Sequence, residues 1–410
     1  MTYTCHKVYY CTWKSLLVKT DFPQSFMKQL YITVLIAAVV VLGGAFLAVR
    51  SLYPVNQLAS PGSLKDPVIL GAALGLSGEC ANYGEGERRA VELAIKEAND
   101  SGGIQGRPIT LKVEDTLCTA EGSVSAMQKL INVDHVEAVV GVTWGDSYQA
   151  GFTINNTEHI PAIAPSAALE ALLYNDAPID YVYSTWFPEK DEISALQRYA
   201  ALQHDREFVT IHDTDTYGSM LASLFNKESA ANGISVSKDY EVLTGTNDFR
   251  TTIAQIKQQP PKAIGLFFQA PSQKAAFLKQ AKEMGLHVRV YTDASIEDDS
   301  LLHNFGDALE GVVYTRPISS GNFEAFSEEY KATYGDVAIG ASDANAYDAA
   351  RTLIAALQDH SANGSSLTEA IARIDIPGTA VERIRFDDSH QITGAEFDIK
   401  TVRNGQFVAI

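Results

Sequence analysis

Several short stretches carry the side chains that could do chemistry. In "LSGECANYGEGERRA" (Leu76–Ala90) the pair Gly84 and Gly86 invites comparison with a dinucleotide loop. That fingerprint needs a third glycine where Arg89 stands, and Glu85 and Glu87 would put carboxylates where a pyrophosphate must sit. What remains is a turn presenting Tyr83 at the end of a strand, with an incidental surface tyrosine as the bland alternative. "DTDTYG" (Asp213–Gly218) copies the first half of a calcium loop, but its twelfth place is Leu224 instead of a bidentate glutamate. "SVSK" (Ser235–Lys238) lacks the companion Lys-Thr-Gly of a serine acyl-enzyme site. No His-Glu-x-x-His, Gly-x-Ser-x-Gly or paired-cysteine pattern occurs, and none of the 9 histidines is spaced as a ligand pair. The motifs therefore predict no catalytic residue, no cofactor and no metal.

The elements around these stretches belong to a chain of 410 residues, long enough for two ordinary cores. Its formal net charge of -18, without a clustered basic face, argues against nucleic acid. Leu30–Val49, "LYITVLIAAVVVLGGAFLAV", is 20 residues without a charge, the length of a bilayer span. Lys7, Lys14, Lys19 and Lys28 precede it and only Arg50 follows closely, which predicts a cytoplasmic N-terminus (residues 1–29) and an extracytoplasmic remainder. An uncleaved membrane anchor is the expectation; a cleaved signal beginning at Met27 is the competing reading. Residues 50–66 form a tether.

After the tether, apolar strand-like runs alternate with helical periodicity. "PVILGAALG", "PITLKVED" and "EAVVGV" bracket helix faces marked by Val91, Ala94, Ile95, Ala98 and by Val124, Met127, Ile131. The alternation restarts after "STWFPEKDE" with "EFVTIHD", a helix ended by Gly233, "KAIGLFFQA", "VRVYTDA" and "EGVVYTRP". The fold class predicted is α/β, two doubly wound parallel-sheet lobes whose loops open at the carboxyl ends of the strands, where such sheets hold ligands.

The stretches Leu74–Asp115, "QKLINVDHVEAVVGV", "IPAIAPSA", "FVTIHDTDTYGSML", "QAKEMGLHVRVYTD" and "EGVVYTRP" resemble, in order and spacing, the type I periplasmic solute-binding proteins of branched-chain amino acid ABC transporters. The likeness covers Pro67 to the C-terminus. It implies an interlobe cleft that closes on a ligand without catalysis, and three crossovers between lobe 1 (residues 67–184 plus 317–385) and lobe 2 (185–316 plus 386–410). The implied partners are ABC permease subunits and a small-molecule ligand, an amino acid or an amide-like solute; a sensor subunit using the same closure is the alternative. By the resemblance Tyr83 is the first-loop aromatic, Tyr217 the second-lobe tyrosine over the ligand, and Trp186 stands at the first crossover. Where the family offers a serine to the α-carboxylate this chain has Gly145, with Ser147 as substitute; Ser166 and Ala168 occupy the fourth-strand loop; the acid that pairs with the ammonium aligns with Ala294, next to Asp293. Trp144 and Asp146 complete the expected set, Asp146 or Asp293 serving the ammonium, because an unpaired buried charge costs several kcal/mol. Cys80 and Cys118 occupy loops leaving neighbouring strands in a doubly wound lobe, so a disulfide is expected, with two free thiols as the alternative.

Overall fold

The computed structural model describes residues 66–410 except 79, 144–146, 168, 175–177 and 341. The expected cytoplasmic N-terminus, membrane segment and nearly all of the tether lie outside the described residues. No helix among the described residues is long and apolar enough to cross a membrane.

The first sheet is built from continuous apolar runs: β1 (Val68–Leu74), β2 (Ile109–Asp115), β3 (Ala138–Gly141), β4 (Ala162–Ala164) and β5 (Val182–Ser184), in the order β2-β1-β3-β4-β5, all parallel. The crossovers are α1 (Ala81–Asp100), α2 (Ala120–Asn132), α3 (Ser147–Glu158) and α4 (Leu169–Tyr174). Leu70, Val140 and Ile163 face one side of the sheet and Ala73, Val139 and Ala162 the other, each side packed into its own apolar cluster. Burial on both faces is why these strands read as unbroken hydrophobic runs.

The chain then enters the second sheet through α5 (Glu189–Leu202), followed by β6 (Glu207–Asp213), α6 (Thr216–Ser229), β7 (Ser235–Val242), α7 (Arg250–Ile256), β8 (Ala263–Phe267), α8 (Pro271–Glu283), β9 (Arg289–Thr292), α9 (Asp299–Leu309) and β10 (Val313–Pro317). It returns as α10 (Phe323–Tyr334), α11 (Asp343–Asn363), α12 (Leu367–Ala372) and a small ladder of β11 (Ile376–Pro377) and β12 (Arg383–Ile384), and ends in β13 (Phe397–Arg403) and β14 (Gln406–Ala409). The second sheet has the order β14-β13-β10-β9-β8-β6-β7. Its first five strands in sequence are parallel, but β13 and β14 run antiparallel, which the expectation of purely parallel sheets omitted.

The chain passes between the sheets after Ser184, after Pro317 and between Ile392 and Phe397. The second and third passages touch, Ile318 N–H donating to Glu396 O at 2.8 Å. Residues 386–392 belong beside the first sheet, not the second as the boundary at 385 had it. Ser184 N donates to His390 O and Ile392 N to Ser184 O, each at 3.0 Å, and the Tyr183 and His390 rings stack with centroids 4.2 Å apart.

A second correction concerns the opening stretch. Tyr83, Gly84 and Gly86 lie within α1, not in a turn ahead of it. A Cβ at Gly84 would meet Gly75 O at 2.1 Å, and one at Gly86 would meet Asp343 Oδ1 at 2.2 Å. The glycines let the first turns of α1 sit directly on the end of β1 and on α11.

Candidate functional site

The carboxyl ends of both sets of parallel strands carry the candidate residues. At the first sheet, Gly75 N donates to Thr143 Oγ1 at 2.9 Å, and the Thr143 hydroxyl donates to Glu87 Oε2 at 2.6 Å. This relay holds Glu87, wholly buried, in the second turn of α1. Burial pushes its pKa up to about 7, against the hydroxyls of Ser166, Thr143 and Ser342 beside it; the neighbouring Asp343 adds to the rise. Ser166, itself buried, thus lies on the same floor as Glu87.

Tyr83, one turn before Glu87, is half-buried. Its phenol is pushed up to about 12 by burial, then by the charges of Asp298 and Asp293, while Arg316 opposes them. From the other side comes Tyr217, in the first turn of α6, where Asp215 caps the helix by accepting from Tyr217 N at 2.8 Å. Burial raises this phenol well above its ordinary range, reinforced by Glu189, Asp293 and Glu192. Asp293 therefore acts on both tyrosines.

Asp293 follows β9, is 1 % exposed, and makes an ion pair with the fully buried Lys274 of α8. Burial alone would raise its pKa, but the Lys274 ammonium outweighs this and holds it below the ordinary carboxylate value. Ser295 N and the Lys274–Ser295 bond (2.6 Å) complete the arrangement. The ammonium-pairing role expected of Asp293 is thus already filled by a cation of the protein itself.

Trp186, at the first passage, donates Nε1–H to Glu189 Oε1 at 2.8 Å. Glu189 and Glu192 stand one turn apart at the start of α5, nearly or wholly buried. Glu192 Oε1 accepts from Ala294 N at 3.0 Å and from the Thr315 hydroxyl. Burial raises both carboxyls; Glu189 is driven well above its ordinary value, with Glu192 and then Glu170 adding to it. Glu170 of α4 is itself pushed up to about 7 by burial. Beside Trp186, a cavity of about 50 Å³ separates Ala294 and Arg316 from Ala344 and Asn345 of α11.

Among the expected residues, the structure brings together Tyr83, Ser166, Trp186, Tyr217 and Asp293. Trp144, Gly145, Asp146 and Ala168 lie outside the described residues, as does the side chain of Ser147, which opens α3. Cys80, immediately before α1, and Cys118, in the loop before α2, are disulfide-bonded with Cα atoms 6.0 Å apart. Sequence reading missed Glu87, Glu189, Glu192 and Lys274. The available signal was the i, i+3 spacing of Glu189 and Glu192 on the face that also carries the buried Ile193 and Leu196.

Indole, phenols, hydroxyls and carboxylates around a cleft can grip a polar solute. Residues 67–405 match the sequence profile of the periplasmic binding proteins. The chain belongs to that family. The leucine-, isoleucine-, valine-, threonine- and alanine-binding protein of Pseudomonas aeruginosa is 25% identical over 260 residues, 63% of this chain and 69% of the relative. The Leu/Ile/Val/Thr-binding protein of Salmonella typhimurium is 24% identical over 328 residues, 79% and 88% of the two chains. The solved substrate-binding protein LivJ of Streptococcus pneumoniae, in complex with isoleucine, superposes with a TM-score of 0.70 over 84% of this chain and 99% of its own, at 20% identity. That last likeness bears on the fold alone. The chain is thus a periplasmic binding protein with the type I fold, and not an enzyme.

Proposed function

We propose that this protein is the extracytoplasmic substrate-binding subunit of an ABC uptake system, capturing an amino acid or a similar small polar organic solute by closing its two lobes. The observation that carries the reading is the cavity of about 50 Å³ beside Trp186, lined by Ala294 and Arg316 on one side and by Ala344 and Asn345 of α11 on the other. Aromatic side chains from both lobes around one buried polar floor favour the closed state when a solute bridges them, because only then are both sets of contacts made. The relatives named for leucine, isoleucine, valine and threonine supply the solute class. Tyr83, Ser166, Trp186 and Tyr217 would line the solute, with Trp144, Asp146 and Ser147 as further candidates.

Titration calorimetry with amino acids, amides and amines, together with solution scattering, tests the reading. Tyr217→Ala should weaken binding about 10- to 100-fold, the loss of one well-packed aromatic contact, without unfolding the protein. Equal affinity in this variant would show that the cleft is misplaced.

A further inference from the structure

We propose that the solute held in this cleft is a net-positive organic amine or guanidinium, and that its charge replaces a proton held by the adjacent Glu189 and Glu192 carboxyls. The inference rests on the solute-binding reading above and narrows its ligand.

The described buried groups at the facing strand ends are mostly acceptors. Glu87, Glu189, Glu192 and Asp293 are each 5 % exposed or less, and the buried cation among them, Lys274, is matched to Asp293. Arg316 keeps about a third of its side chain exposed and lies 3.9 Å from Glu297. Oε1 of Glu87 and Oε2 of Glu189 are buried without a well-aligned hydrogen bond, the hydroxyls of Ser166 and Ser342 lying near the first carboxyl and the Tyr217 phenol near the second. A solute carboxylate would meet like charge there. N–H donors carrying positive charge would meet acceptors, with the faces of Tyr83, Trp186 and Tyr217 at hand for cation–π contact. Among the described residues no three His, Cys, Asp or Glu side chains are grouped to hold a metal ion.

Proton exchange follows from the surroundings of the pair. Glu189 faces Trp186 of its own segment, Tyr217 of α6 and Glu170 of α4; Glu192 faces Ala294 N, Thr315 and Asp293. Among the described residues, the buried Lys274 already serves Asp293, and Arg316, on the cavity beside Trp186, lies 3.9 Å from Glu297. Two desolvated carboxyls side by side avoid double ionisation by retaining a proton. A cation placed against them performs the same neutralisation, and the proton is released to solvent.

The test is calorimetry on the full chain, in mild detergent at pH 6, in two buffers of different ionisation enthalpy, with agmatine, putrescine and leucine as probes. We expect at least one of the two cations to bind more than 10-fold tighter than leucine and to release about one proton per ligand, as a single shared proton requires. Glu189→Gln should weaken that cation at least 10-fold and abolish the buffer dependence. Leucine binding as tightly as the cations, with no proton exchange, would overturn this inference and leave the solute-binding reading standing. So would a cation whose binding enthalpy is identical in both buffers, a measurement that needs no variant. No binding by any amino acid, amide or amine would overturn both.

Discussion

Trp186 donates its indole N–H to Glu189 Oε1 across 2.8 Å, joining the first passage between the sheets to the first turn of α5. The bond is short in sequence, yet it serves a carboxyl that is 1 % exposed and flanked by Glu192 and Glu170. Trp186→Phe keeps a ring in place and removes the donor. A hydrogen bond to a buried charged group is worth about 1.5 to 3 kcal/mol, and the expected loss of stability is about 1 to 2 kcal/mol because Glu189 keeps part of its proton. Urea unfolding at pH 7 measures it; an unchanged midpoint would mean that the bond contributes nothing net.

Glu87 makes a pH signature. Its native carboxyl has a pKa of about 7, against an ordinary value of 4.5. Between those limits the native state retains a proton that the unfolded chain has released. Stability therefore falls as pH rises through this window, by up to about 1.4 kcal/mol per pH unit for one group. Glu170, also pushed up to about 7, acts with the same sign. Glu87→Gln should make the slope of unfolding free energy between pH 5 and 7 shallower by about one proton. Unfolding curves at pH 5, 6 and 7 decide; parallel slopes in the two proteins would refute the assignment.

The sheets were legible because their strands are apolar on both faces, and β6 (Glu207–Asp213) coincides residue for residue with "EFVTIHD". The antiparallel end was not. It is announced only by Asn404-Gly405, whose φ angles of 53° and 65° suit a two-residue hairpin turn, a signal overshadowed by the α/β alternation. Glycines at 84 and 86 read as loop residues because sequence alone shows their flexibility and not the backbone or carboxylate pressed against them. The aromatic candidates were legible through resemblance. Lys274 and its partner Asp293 are 19 residues apart, and no local pattern links them.

The packing of α1 gives a paired test. Gly86→Ala would force a methyl to within 2.2 Å of Asp343 Oδ1, a buried carboxylate also held by Tyr330 and Gly340 N. Overpacking of this kind costs about 1 to 3 kcal/mol. Gly306 of α9 offers the contrast, since a Cβ there meets only Leu302 Cδ1, at 3.9 Å. Gly306→Ala should instead stabilise by about 0.5 to 1 kcal/mol through helix propensity. Thermal melts of both variants should shift in opposite directions, and a shared direction would contradict the close approach of α1.

Lys274 gives the largest expected effect. Its ammonium is fully buried, bonded to Asp293 and to Ser295 Oγ, and removing it strands a carboxylate that is 1 % exposed. Breaking a buried pair from one side costs about 3 to 5 kcal/mol, mostly as the uncompensated charge that stays behind. Lys274→Met should therefore lose about that much at pH 7. The sign with pH separates charge from packing: without Lys274 the pKa of Asp293 rises above its unfolded value, so acidification protonates it in the folded state and returns part of the stability. A Lys274→Met deficit equal at pH 5 and pH 7 would place the cost in packing and not in the stranded charge.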